Sequence, residues 1–180
     1  MTDPWAAHFP RLFSEQYVDY ADAVVTCTSE VPPDALVARL HMVAHDQHGN
    51  VVVCRSRQGW RFLPGGTREP AETVAALARR ELMEEAGVEL EAGPSIFASL
   101  EAHLRRPQPH RAHLPHPIAH WAFATARVLS IGPPTNPPDG EDVVEVLALP
   151  SEQAAAWLDE YDPTHGDMVR LAVKIGLLRS

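Results

Sequence analysis

Residues 66–88 read GTREPAETVAALARRELMEEAGV. Alanine, leucine, arginine, glutamate and methionine fill the middle of this stretch, and all are good helix formers. Pro70 suits a first helical turn, where its missing N–H costs nothing. Gly87 stands where a left-handed residue is expected to end the helix. These signals predict a helix over Ala71–Ala86. Val74, Leu77, Ala78, Glu81 and Glu85 step by three and four, so they share one face. That face starts apolar and ends in carboxylates, with Glu84 on the flank of Glu81. Like charges at such spacings repel, and a buried carboxylate without a partner costs more still. A divalent cation removes the conflict, because Mg²⁺ takes carboxylate oxygens together with phosphate oxygens and water. The alternative reading is a solvated acidic helix face with arginine pairs.

Gly66, Glu72, Arg80, Glu81, Leu82, Glu84, Glu85, Gly87 and Val88 fill every defined position of the pattern G-x(5)-E-x(7)-R-E-U-x-E-E-x-G-U, where U is a bulky aliphatic residue. The chain therefore resembles the Nudix hydrolase family. The lead-in Trp60-Arg61-Phe62-Leu63-Pro64-Gly65-Gly66 is similar to the strand and turn that precede this box in the family. The likeness runs over about residues 36 to 160.

The resemblance implies a site. Glu84 and Glu85 would be direct ligands of Mg²⁺ or Mn²⁺, and Glu81 a ligand or the base. The backbone carbonyl of Gly66 would be a further ligand. Arg80 would orient a carboxylate, with Glu72 as its ion-pair partner. A loop glutamate before the last strand often completes such sites, which points to Glu141, with Glu145 as the other choice. The implied activity is metal-dependent hydrolysis of the diphosphate linkage in a nucleoside diphosphate joined to another group. A nucleotide sugar, an ADP-ribose-like compound and a nucleoside triphosphate all fit.

Composition is consistent with that class. The chain has 180 residues, 45% hydrophobic and 22% charged, ordinary values for a folded domain. The net charge of -9 comes without a basic stripe, which argues against a nucleic-acid polymer as partner. It leaves open a small phosphorylated nucleotide-type substrate, whose charge a metal would offset. Cys27 and Cys54 lack metal-ligand spacing, and Cys54 reads as a core residue of a Val51–Cys54 strand. The N-terminus has no basic start or apolar run, and no segment has membrane-spanning length. A cytoplasmic protein with no membrane partner is expected, and a homodimer is compatible with the sequence.

Residues 1–34 read as a partly helical N-terminal extension, and 35–180 as the hydrolase domain. Strands are expected at 35–44, 50–55, 60–63, 95–104, 118–129 and 143–149, with His45–Gly49 as a hairpin turn. Residues 132–141, GPPTNPPDGE, form a Pro-rich loop. Ser151 is expected to cap a helix to about Leu158, and Asp167–Leu178 to form an amphipathic helix. This order predicts an α/β class: a central mixed sheet between helices, the α/β/α sandwich that the resemblance also implies.

Two regions are candidates for specificity. The loop 104–117, LRRPQPHRAHLPHP, offers Arg105, Arg106 and Arg111 for phosphate contact, or is a solvated hairpin tip. Trp60 offers a ring for base stacking, or packs in the core. Two other classes on this fold meet the sequence less well. An isomerase of the isopentenyl diphosphate type needs an Asn-Thr-Cys motif that Cys54 does not provide. A non-catalytic nucleotide sensor typically loses the carboxylates that this box keeps.

Overall fold

A computed structural model describes residues 3–138 and 140–179. The chain runs through α1 (Pro10–Phe13), β1 (Gln16–Val18), β2 (Ala23–Thr28), β3 (Val37–His45), β4 (Val51–Ser56), β5 (Arg61–Phe62) and β6 (Gly65–Thr67). It continues through α2 (Val74–Ala86), β7 (Val88–Leu90), β8 (Ser95–Leu104), β9 (Ile118–Ile131), β10 (Val143–Leu149), α3 (Ser151–Asp159) and α4 (Pro163–Lys174). The strands form one sheet in the order β1-β2-β8-β9-β3-β4-β10, with β5 beside β4, β6 beside β3 and β7 beside β9. β3 and β9 are parallel and the other pairs antiparallel, so the sheet is mixed.

Strand alternation explains the two layers of core. Leu40, Met42 and Ala44 of β3, with Val52 and Cys54 of β4, face Leu77, Ala78, Leu82 and Ala86 of α2. Val43, Val51 and Val53 face the other way, against Ala154, Ala155 and Leu158 of α3 and Met168, Val169 and Leu171 of α4. The result is the α/β/α sandwich expected from the sequence. Cys54 is buried, and its thiol donates to the backbone carbonyl of Glu85 at 3.6 Å.

The boundaries differ where side chains take over from propensity. The main helix begins at Val74, not Ala71, because the Thr73 hydroxyl accepts from the Ala76 N–H at 3.1 Å and caps it. Ala71 sits at φ 61, outside the helix, and Pro70 stays in the preceding turn. Ser151 is the first residue of α3 rather than its cap, and its hydroxyl donates to the carbonyl of Arg179. α4 starts at Pro163 because the Asp162 carboxylate accepts from the Thr164 N–H. The N-terminal segment is helical in α1 and in a 3-10 turn at Asp19–Ala21; β2 then pairs with β8 across Ala23–Thr28, inside the main sheet. No helix among the described residues is long and apolar enough to cross a membrane.

A buried histidine gives the fold a pH dependence. His165 of α4 accepts the Leu63 N–H at Nδ1, at 3.1 Å, and packs against His41 and Phe123. Burial pushes its pKa below 6.5. A depressed histidine stabilises the fold above its unfolded pKa, and that contribution is lost as pH falls toward the folded value. From pH 6.5 downward, His165→Gln should flatten the loss of unfolding free energy with pH, by up to about 1.4 kcal/mol per pH unit. Parallel denaturant titrations of both proteins between pH 5 and pH 7 measure this. Identical slopes would exclude the assignment.

Candidate active site

The last turns of α2 bring the carboxylates to β6. Gly87 ends the helix at φ 62, with its N–H turned back to the carbonyls of Leu82 and Met83. The Pro-rich loop then closes the helix end. Gly132 N–H donates to the Gly87 carbonyl at 2.7 Å, and Asn136 N–H to the Glu84 carbonyl at 3.0 Å. The Asn136 side chain donates to the Val143 carbonyl and accepts from the Val143 N–H. Carbonyls that a helix leaves unmet are thus satisfied by the loop, and the loop brings Glu141 into the wall of a cavity beside α2.

The cavity there has a volume of about 530 Å³, and its walls include Gly65, Gly66, Glu81, Glu84, Glu85 and Glu141. Glu85 is 6% exposed and accepts the Gly65 N–H at 2.7 Å. Burial pushes its carboxyl well above the ordinary 4.5, with the neighbouring charges of Glu81, Glu141 and Glu84 adding to the effect. Glu81 is also buried, and burial again raises its pKa against the pull of Arg80. These carboxylates lie in the last turns of α2, where the helix dipole disfavours negative charge.

Arg80 is the one guanidinium bonded to the box carboxylates among the described residues. It donates to Glu72 from Nε at 2.8 Å, to Glu81 at 2.8 Å and to Glu84 at 3.1 Å. Another contact reaches the Thr67 carbonyl at 3.2 Å. Burial works against the Glu72 charge, but the Arg80 hydrogen bonds, the Glu69 N–H and the charges of Arg80 and Arg68 together outweigh it and hold the Glu72 pKa below the usual range. Glu72 and Arg80 thus make the ion pair expected from the sequence, and the same arginine reaches two more box carboxylates.

Gly66 lies directly against Glu81. A β-carbon at this position would overlap the Glu81 carboxylate. The glycine leaves the Glu81 carboxylate against the backbone of β6, and the carboxylates that line this cavity are oxygen donors of the kind a hard divalent cation takes. As the side chains stand, no three His, Cys, Asp or Glu groups among the described residues converge as one ligand set. Arg80 holds Glu81 and Glu84, and Gly65 holds Glu85.

The NUDIX domain model matches residues 36–172. The chain belongs to the Nudix family. As a Nudix protein it is a hydrolase of phosphorus-containing acid anhydrides. No curated protein matches it. Among solved structures, a mutant of the Bacillus subtilis pyrophosphohydrolase BsRppH is similar at 15% identity and TM-score 0.58, over 91% of this chain and 93% of that one. A MutT protein from Methanosarcina mazei is similar at 13% identity and TM-score 0.53, over 81% of this chain and 98% of that one. At such identities the likeness is one of fold.

Gly66, Arg80, Glu81, Glu84 and Glu85 of the Nudix box line one cavity together with Glu141, and Glu72 does not line it. Glu145 does not line it; Arg55 takes its carboxylate at 2.8 Å on the edge strand. Of the three loop arginines, Arg111 lines the cavity and pairs with Glu69 at 2.8 Å. Arg106 donates to the Tyr20 carbonyl at 2.7 Å, beside a second cavity. Arg105 lines neither and lies over the Tyr17 ring. Trp60 also lines neither; it is exposed beside Tyr161, because the short β4–β5 hairpin turns it toward α3 and α4. Arg39 and His41, on β3 in the wall of the main cavity, are additions that sequence patterns did not reveal. Their only signal was a polar residue at alternate positions of an otherwise apolar strand.

Proposed function

We propose that this chain is a divalent-metal-dependent pyrophosphohydrolase that cleaves the diphosphate linkage of a nucleoside diphosphate joined to another group. The observation that carries the reading is the burial of Glu81 and Glu85 at one open cavity, where burial raises both carboxyl pKa values. Groups so perturbed in a cleft are marks of a working site.

Glu81, Glu84 and Glu85, with the Gly66 carbonyl, would hold Mg²⁺ or Mn²⁺. The bound cation would supply an acidified water and neutralise charge developing on the phosphate oxygens. Arg80 would release Glu81 and Glu84 in part while keeping Glu72, so it sets the orientation of the ligand carboxylates. Glu141, which lines the same cavity, would accept a proton from the attacking water. Arg39 and Arg111 would bind the remaining phosphate oxygens.

The test is a substrate panel of nucleotide sugars, ADP-ribose and nucleoside triphosphates, with nucleotide and phosphate release measured in Mg²⁺ and in Mn²⁺. At least one compound is expected to turn over, with activity lost in excess chelator and restored by added cation. Turnover indifferent to chelation, or none across the panel with either metal, would overturn the reading.

A further inference from the structure

A second cavity of about 120 Å³ adjoins the first, and Arg39 and Thr67 line both. Its walls are of a different kind. The rings of Tyr20 and Trp121 lie nearly parallel, with centroids 6.3 Å apart and planes 14° apart. The Arg39 guanidinium lies over both rings, at 5.5 Å from Tyr20 and 5.3 Å from Trp121, and donates to the Tyr20 hydroxyl at 2.9 Å. Leu104 and Leu114 close the apolar side.

Tyr20 is the informative residue. It is 64% exposed, yet both its ends are anchored: the hydroxyl by Arg39, the backbone carbonyl by Arg106 at 2.7 Å. An aromatic ring held rigidly at the lip of a cavity offers stacking surface at little further entropic cost. By the measure in which one water takes roughly 10–15 Å³, the space holds about ten such groups. That is room for a heterocycle and not for a whole nucleotide. The shared wall joins this aromatic space to the carboxylate cavity, so one molecule with a planar ring and a phosphate can reach both.

We propose that the Tyr20–Trp121 cavity is the nucleobase subsite, and that the segment before the family match forms its wall and sets base preference. This rests on the pyrophosphohydrolase reading for the position of the phosphates, but binding of the base needs neither metal nor turnover. Within the loop 104–117, Arg106 then acts by holding Tyr20.

The full chain is titrated calorimetrically, without divalent cation, with nucleoside monophosphates of each base and with ribose 5-phosphate. At least one nucleoside monophosphate is expected to bind about tenfold or more tighter than ribose 5-phosphate, the range of base stacking on an aromatic residue. Tyr20→Ala should erase that advantage. Tyr20→Phe, which keeps the ring and loses the hydroxyl, should retain most of it. Equal binding of base-bearing and base-free ligands, or an advantage that survives Tyr20→Ala, would overturn the subsite. Base-selective binding without turnover on the panel would sink the hydrolase reading alone. Turnover without base-selective binding would sink the subsite alone.

Discussion

Glu85→Gln is expected to lower turnover by roughly 10²–10³-fold or more while leaving the fold intact. The amide keeps the shape of the side chain and an oxygen that can accept the Gly65 N–H. What it removes is the charge that a cation would need. The sign of its effect on stability follows from the direction of the pKa shift. Burial raises the Glu85 pKa above 4.5, so its contribution is intact below that pH and is lost as pH rises through the folded value. At pH 7 to 8 in chelator the wild type therefore carries a cost that the variant lacks. Glu85→Gln should melt at or above the wild type without metal. In excess Mg²⁺ the order should reverse, because only a site that binds the cation gains stability by mass action. A variant with full activity, or one that melts well below wild type in chelator, would contradict this role.

Gly66→Ala should separate activity from stability. The added β-carbon meets the Glu81 carboxylate, the far end of a flexible side chain, and not backbone. The side chain can swing away, so the stability cost should stay within about 1–3 kcal/mol, as for other small overpackings. The carboxylate then leaves its place against Gly66 and its bond from Arg80 at 2.8 Å. A displacement near 1 Å at a reacting centre can cost about 10²-fold in rate. The measurement is kcat on the best panel substrate beside a denaturant titration. Near-normal kcat would show that the Gly66–Glu81 contact is mere packing.

The sequence was most readable where spacing alone carries meaning. The three-and-four steps of Val74, Leu77, Glu81 and Glu85 placed carboxylates on a buried helix face, and the structure buries Glu81 and Glu85 with Leu77 and Leu82. β3, β4, β5, β8, β9 and β10 were legible in the sequence, whereas β6 and β7, at three residues each, were too short to carry a pattern of their own. Helix starts were harder, since Thr73 and Asp162 decide them by single side-chain hydrogen bonds. The N-terminal strands were missed because β2 takes its order from pairing with β8, about 75 residues away in sequence.

Site residues divide in the same way. Glu141 could be placed by its position in the loop, but the means are local: Asn136 bonds to Val143, and the loop backbone bonds to the end of α2. Trp60 was misleading because an aromatic beside the box looks the same whether it points to the cavity or to α3. Tyr20 and Trp121 are 101 positions apart and carry no shared pattern, so only the fold could bring them together.

The central claim is that the buried carboxylates of α2 hold a divalent cation. Mn²⁺ titration of the wild type and Glu85→Gln, followed by electron paramagnetic resonance at fixed pH, tests it without any substrate. The wild type should bind Mn²⁺ with a saturable signal that Mg²⁺ displaces, and Glu85→Gln should lose that binding. Equal binding by the two proteins would contradict the account.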